Sequence, residues 1–242
     1  MQDETDIDLF GELTEEEVQG REARAQKLKD QLLNSIADLP QDPSQRTMAQ
    51  NRLIFRQASY TPPFIIPSLL LQAECRGILD TLGHETEWLT ARHSAFATTD
   101  IAVSSIPGLA SSLPGLLKAR LLQTHIAPRF GFHPQRDLAF RDLFIVRYSH
   151  DAQRGLQMHT DGCLISFNIL LNSRTEFDGG GTVFETLDTP VEIDQGDCVV
   201  HDAHIKHGGM DISRGTRLIL VGFVDTVDTL KKDAIARSMS LT

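Results

Sequence analysis

The sequence has few cysteines, few basic residues for its length and no long apolar run. Cys75, Cys163 and Cys198 are odd in number and far apart, so no disulfide framework is indicated. The formal net charge of −10 argues against unspecific binding to nucleic acid or to an anionic membrane, because both need a basic surface. No apolar run approaches the roughly 20 residues that span a bilayer. We therefore expect neither a nucleic-acid partner nor a membrane.

The N-terminal residues bear on the compartment. The first 22 residues carry nine acidic side chains and one basic one, without the apolar segment of a secretory signal. Together with the unpaired cysteines, this predicts a protein that is not secreted and resides in the cytoplasm or the nucleus. The 242 residues, 40% of them hydrophobic, suit one large domain with an appendage. They do not indicate an oligomeric state.

Residues 1–45 are predicted to form an acidic extension, partly disordered and partly helical. Thr14 and Glu17 can form a capping box, and apolar residues then recur at helical spacing until Pro40 and Pro43. The helix either docks loosely on the domain or binds a partner. The domain proper is predicted to span residues 46–242.

Within that domain, helices precede strands. Ser68 is positioned to cap a helix that Gly83 would end, and Pro114 is suited to the first turn of a second helix. From residue 143 onward, short apolar runs alternate with turn residues, which is typical of a β-sandwich or jelly roll. The predicted class is thus α+β, with a mainly β core braced by N-terminal helices. The predicted strands are 143–148, 164–171, 182–185, 191–193, 198–200 and 217–224.

A candidate metal site begins with His159-Thr160-Asp161. In an extended chain, residues i and i+2 point to the same side, so the imidazole and the carboxylate converge. With His207 as a third ligand, two histidines and one carboxylate would leave positions open, as in non-haem Fe(II) oxygenases. Taken alone, the pattern also fits a strand-end histidine bonded to a carboxylate, or a catalytic zinc site. The His-Glu-x-x-His motif of zinc proteases is absent.

Arg217 opens an otherwise apolar run ten residues after His207. A guanidinium in a mostly buried strand needs a partner, and no acidic residue follows before Asp225. A dicarboxylate ligand would supply that partner, because the planar fork of arginine matches a carboxylate. The alternative is an edge arginine that reaches solvent. His201 and His204 are alternative third ligands, and we expect them to lie at the surface or behind the metal instead.

Six motifs lie between residues 141 and 226, namely Ile145-Val-Arg-Tyr148, Met158-His-Thr-Asp161, Phe167-Asn-Ile-Leu-Leu-Asn172, Phe177-Asp-Gly-Gly-Gly-Thr182, His207-Gly-Gly and Arg214-Gly-Thr-Arg217. With these motifs, the segment resembles the prolyl 4-hydroxylase and lysyl hydroxylase branch of the 2-oxoglutarate/Fe(II) dioxygenases. The resemblance implies a double-stranded β-helix (jelly roll), with His159, Asp161 and His207 as iron ligands and Arg217 on the distal carboxylate of 2-oxoglutarate. Tyr148 and Asn168 would lie near this cosubstrate, although each could instead be a buried polar residue satisfied by backbone.

The function implied by the resemblance is hydroxylation of a C–H bond with O2 and 2-oxoglutarate, releasing succinate and CO2. L-ascorbate is expected to restore iron that is oxidised in unproductive turnover. The substrate would be a peptidyl proline-like or lysine-like residue of an intracellular protein, or a small amino-acid-like metabolite. Fold and cosubstrate site do not decide between these. A non-catalytic 2-oxoglutarate-binding or protein-interaction module on the same fold is the alternative, and a zinc hydrolase is a third possibility.

Overall fold

The N-terminal extension contains one long exposed helix. The structure, a computed structural model, describes residues 14–57, 61–83, 87–93 and 95–239, so the disorder predicted for residues 1–12 lies outside the described part. Helix α1, Glu15–Ala37, begins with the predicted capping box. The backbone N–H of Glu17 donates to Thr14 Oγ1 (3.3 Å), and the N–H of Thr14 donates to Glu17 Oε2 (2.9 Å). These bonds satisfy donors that the first helical turn leaves open.

The remaining helices lie mostly before the strands, as predicted. None of the helices in the described ranges combines the length and the apolar character needed to cross a membrane. The helices after α1 are α2 (Met48–Gln57), α3 (Gln72–Leu82), α4 (Pro107–Leu117), a π-helical continuation of α4 (Lys118–Ile126), α5 (Ala127–Phe130) and α6 (Val227–Met239). There are also 3₁₀ turns at Pro43–Gln45, Val103–Ser105 and Arg174–Glu176.

Two predicted helix starts are wrong. Ser68 has a positive φ of 50° and its N–H donates to Asp197 (2.7 Å), so a long-range contact holds it outside the helix. Helix α3 begins four residues later, where Glu74 accepts from the backbone N–H of Leu71 (2.8 Å). Pro114 lies inside α4, because Pro107 already occupies the first turn. The predicted end of α3 at Gly83, with φ 61°, is confirmed.

The strands form two antiparallel sheets. The larger has the order β1-β8-β5-β10-β3-β2, with β6 paired to the first residues of β10, and the smaller has the order β4-β9-β7. The strands are β1 (Phe64–Ile66), β2 (Asp100–Ala102), β3 (Leu138–Ser149), β4 (Leu156–His159), β5 (Ile165–Leu170), β6 (Phe177–Gly179), β7 (Thr182–Phe184), β8 (Cys198–Asp202), β9 (His207–Gly209) and β10 (Ile212–Thr226).

Five of the six predicted strands are confirmed, with longer bounds for β3, β8 and β10 and slightly shorter ones for β5 and β7. The sixth, 191–193, is wrong, since Val191 makes a single isolated bridge to Thr182. Strands β1, β2, β4, β6 and β9 were not predicted. Each has three or four residues, too few for alternation to be visible in the sequence.

The large sheet has two covered faces, which together give the predicted jelly roll. On β3, Leu143 and Ile145 join the core that packs against the helices, whereas Phe144 and Val146 point to the opposite face. That second face is covered by the small sheet, through residues such as Phe184 of β7. The alternation along one strand therefore separates a structural core from an interior that can hold a site.

Candidate metal centre

Three side chains meet where β4 and β9 pair. His159 ends β4, His207 begins β9, and the antiparallel register places these two residues opposite each other. Asp161 follows two residues after His159 and points the same way. Its Oδ1 lies 3.4 Å from His159 Nε2, and its Oδ2 lies 3.3 Å from His207 Nε2. One ligand atom from each residue lies within 4.8 Å of the others, a spacing that fits a metal ion.

Neighbouring groups orient all three side chains. The Nδ1 of His159 lies 2.8 Å from the carbonyl of Gln157, and the Nδ1 of His207 lies 3.0 Å from the carbonyl of Ile205. Since a carbonyl only accepts, each Nδ1 carries a proton and each Nε2 is directed at the centre, where it donates to Asp161 when protonated and would offer its lone pair to a metal when not. Ser166 donates to Asp161 Oδ2 (2.5 Å) and holds the carboxylate in place.

The electrostatics of the cluster suit a cation. Burial alone would raise the pKa of Asp161, but hydrogen bonds from His159, His207 and Ser166 outweigh it and hold that pKa well below its usual range. Burial lowers the pKa of His159, yet its bonds to Asp161 and Gln157 raise it overall. The carboxylate is thus charged at neutral pH, and protons compete with any metal for the Nε2 of His159.

His201 and His204 do not belong to the group of three. His201 on β8 is buried, its ring centroid lies 4.2 Å from that of His207, and its Nδ1 lies 2.9 Å from the carbonyl of Asp202. Burial, with the nearby His207, lowers its pKa to about 3, so it is neutral at physiological pH. His204 is half exposed, and its Nδ1 lies 3.0 Å from a carboxylate oxygen of Asp202. Both histidines lie as predicted, behind the metal centre and at the surface.

The triad opens into a cavity of about 380 Å³ between the two sheets. Arg217 of β10 lines it and is only 2% exposed. Within the described part of the chain, no carboxylate forms an ion pair with Arg217, and its Cζ lies 5.7 Å from the ring centroid of Tyr148 opposite it on β3. Burial lowers the pKa of Arg217, which means that the charged form lacks compensation. A buried guanidinium without an anion fits a site for an acidic ligand.

Two further polar groups at this end of the cavity lack partners. Asn168 Oδ1 is buried without a hydrogen bond, while its Nδ2 reaches Thr182 Oγ1 at 3.4 Å. The hydroxyl of Tyr148 makes no hydrogen bond to another described residue, and burial raises its pKa, so it is a neutral donor. The structure therefore brings all six predicted residues to one cavity. The ligand atoms of His159, Asp161 and His207 fit a metal ion, and the N–H and O–H donors of Arg217 and Tyr148 fit a dicarboxylate.

Other cavity residues had no signal in the sequence. Arg92, His93 and Phe96 line the opposite end, in a segment without secondary-structure periodicity. The ring of Phe96 lies 4.8 Å from that of His159 and packs against this first ligand. These side chains reach the site only through the tertiary structure, which brings their segment against the cavity.

Several known proteins resemble this chain in sequence. No protein-family model matches the chain. The multifunctional procollagen lysine hydroxylase and glycosyltransferase LH3 of Rattus norvegicus is 29% identical over 172 residues, which is 65% of this chain and 22% of that protein. The predicted resemblance to lysyl hydroxylases is confirmed. The chain spans less than a quarter of the length of this relative.

Solved structures agree at the level of the fold. An oxidoreductase of the 2OG-Fe(II) oxygenase family from Burkholderia pseudomallei superposes with a TM-score of 0.54 at 20% identity, over 74% of this chain and 91% of that one. The prolyl-4-hydroxylase of Pseudomonas putida superposes with a TM-score of 0.52 at 16% identity, over 72% and 98%. The jelly roll predicted from the resemblance to lysyl hydroxylases is thus confirmed.

Proposed function

We propose that this chain is a 2-oxoglutarate- and Fe(II)-dependent oxygenase that hydroxylates a C–H bond. The observation that carries the proposal is Arg217, buried without a carboxylate partner in the cavity that also holds the His-Asp-His group. In the balanced reaction, a C–H bond, O2 and 2-oxoglutarate give the alcohol, succinate and CO2. One oxygen atom enters the substrate and the other enters succinate.

Each residue has a distinct role in this proposal. His159, Asp161 and His207 hold Fe(II), which when bound supplies the activation of O2. Arg217 binds the far carboxylate of 2-oxoglutarate through a two-pronged ion pair. The Tyr148 hydroxyl flanks the same ligand as a neutral donor, and Asn168 lines the same cavity, where only its Nδ2 group can donate to a carboxylate. The cavity walls around them are otherwise largely apolar, which keeps water away from the reacting centre.

The target is proposed to be a proline-like or lysine-like residue of an intracellular protein, or a small amino-acid-like metabolite. The relatives support the first option, since one is a procollagen lysine hydroxylase and a fold neighbour is a prolyl-4-hydroxylase. The three free, buried cysteines support a reducing compartment, the cytosol or the nucleus. L-ascorbate is proposed to sustain turnover by keeping the iron reduced.

Succinate release from iron-loaded protein tests the function. We expect Fe(II)- and 2-oxoglutarate-dependent succinate, with a gain of one oxygen atom on a substrate in a panel of peptides and metabolites. His159→Ala should abolish metal binding and turnover, whereas the matched control His204→Ala, at an exposed histidine beside the site, should retain both.

Two results would contradict the proposal. Tight binding of 2-oxoglutarate with no turnover across the panel would favour a non-catalytic module on the same fold. Hydrolytic activity with Zn(II) and none with Fe(II) would favour a zinc hydrolase.

A further inference from the structure

A cluster of charged residues surrounds Arg92 and His93, which line the cavity at the end away from Arg217. We call Arg92, His93, Asp100 and Asp142 the mouth cluster. Arg92 donates through Nε to Asp100, through one terminal nitrogen to Asp142 (2.7 Å) and through the other to His93 Nε2 (2.8 Å). Its guanidinium also lies over the ring of Phe144, with Cζ 4.6 Å from the centroid. The arginine is therefore held in one orientation by contacts on several sides.

The mouth cluster is separate from the proposed 2-oxoglutarate end. On β10, Arg217 pairs with Tyr148, whereas Phe223 pairs with Asp142 of the mouth cluster. These positions are six residues apart on one strand, roughly 20 Å. Phe223 also pairs with Ser166, the residue that bonds Asp161, so the mouth cluster lies on the metal side of the cavity. Arg92 and His93 line the cavity and keep 21% and 24% of their side chains exposed, so both can meet a substrate that enters from solvent.

The N–H groups of Arg92 and His93 that make no contact within the mouth cluster are hydrogen-bond donors. A guanidinium has five N–H groups and no acceptor, and the three contacts to described residues use three of them. Because Arg92 can only donate, His93 Nε2 must accept, and the proton of the neutral ring is on Nδ1. Both residues line the cavity. They therefore offer N–H groups to a hydrogen-bond acceptor on the ligand.

The charge behind these donors decides which acceptor fits. Asp100 is fully buried and Asp142 is partly buried, so two carboxylates accompany one guanidinium. The local sum is negative, and a ligand carboxylate at this point would be repelled by Asp100 and Asp142. A neutral carbonyl keeps the hydrogen bonds without that repulsion.

We propose that Arg92 and His93 determine substrate specificity by binding a neutral carbonyl of the prime substrate and by discriminating against a free carboxylate. This inference rests on the proposed function. A purely structural role is the competing explanation, because Arg92 also ties residues 87–93 to β2 and β3. The two explanations differ in whether the variant changes substrate KM or only stability.

The test compares capped and free forms of the same residue on wild-type protein and on variants. The probes are the peptides acetyl-Gly-Lys-Gly-amide and acetyl-Gly-Pro-Gly-amide, against free L-lysine and free L-proline. Succinate release, substrate binding by thermal shift and the Kd of 2-oxoglutarate are measured for each. We expect wild type to bind and turn over at least one capped peptide in preference to its free amino acid.

Arg92→Gln should raise the KM for the preferred peptide roughly tenfold or more, since a hydrogen bond from a charged donor is lost. The Kd of 2-oxoglutarate, whose proposed site is at the other end of the cavity, should stay within about twofold. The matched control is Arg147→Gln, because Arg147 contacts the same segment through Trp88 but does not line the cavity. Should Arg92→Gln fail to fold, His93→Gln replaces it, with an expected rise in the same KM.

Three results would overturn the inference while leaving the proposed function intact. They are preference for a free amino acid, an unchanged KM in a folded Arg92→Gln protein, and failure of every probe to bind protein that binds Fe(II) and 2-oxoglutarate. Loss of Fe(II) and 2-oxoglutarate binding by the wild-type protein would instead contradict the proposed function itself.

Discussion

Replacing Arg217 with methionine should affect the ligand-free and ligand-bound protein in opposite directions. The guanidinium is 2% exposed and lacks a carboxylate partner among the described residues, so its charge is uncompensated. Methionine keeps most of the apolar length of the side chain and removes this charge. We therefore expect the free energy of unfolding of the ligand-free protein to stay within about 1 kcal/mol of wild type, or to rise.

The same substitution should remove most of the affinity for 2-oxoglutarate. A two-pronged ion pair contains two charge-assisted hydrogen bonds of about 1.5–3 kcal/mol each. Their loss corresponds to a Kd raised by roughly 10²- to 10⁴-fold. With 2-oxoglutarate at about 100 times the wild-type Kd, binding raises the free energy of unfolding of the wild-type protein by about 2.7 kcal/mol. For a domain of this size, that corresponds to a rise in Tm of roughly 5–10 °C.

Thermal unfolding with and without 2-oxoglutarate, under anaerobic conditions with Fe(II), measures both effects in one experiment. The control is Arg214→Met, on the same strand, where an exposed arginine pairs with Asp178. It should keep the full ligand-induced shift. The reasoning would be refuted if Arg217→Met kept that shift, or if its ligand-free form lost several kcal/mol, which would make Arg217 a structural residue.

Three other substitutions test the surroundings of the site. In metal-free wild-type protein, the free energy of unfolding should fall between pH 6.5 and 3, because the buried His201 ring, with a pKa of about 3, stays neutral while the same ring in the unfolded chain takes up a proton. His201→Gln should remove this contribution. In urea titrations, the free energy of unfolding of the variant should fall less steeply with pH, by up to about 1.4 kcal/mol per pH unit. Asp137→Ala should destabilise by about 3 kcal/mol or more and leave the Kd of 2-oxoglutarate unchanged, since this buried carboxylate accepts from Asn51 (2.6 Å) far from the cavity. Gly196→Ala should lower Tm strongly, because φ is 90° and a Cβ would lie 2.1 Å from the carbonyl oxygen of Leu70; an unchanged Tm would contradict the observed backbone.

Features that depend on residues only two or three positions apart could be predicted from the sequence. The capping box at Thr14 and Glu17 depends on three-residue spacing, and the convergence of His159 and Asp161 depends on two-residue alternation in extended chain. Arg217 could be identified as a candidate ligand-binding residue because its charge opens an otherwise apolar run. The start at Ser68 failed because the distant residue Asp197 captures its N–H.

The sequence by itself thus determined the residue types of the metal site, the convergence of His159 with Asp161, and the arginine whose charge calls for a partner. Only the tertiary structure decided that β4 pairs with β9, which brings His159 and His207 together across an intervening stretch of chain with no periodicity linking them. It also placed Arg92 and His93 at the mouth and left Asn168 Oδ1 without a partner. These features arise from contacts between residues far apart in the chain, and such contacts are set by how the whole core packs rather than by any local pattern.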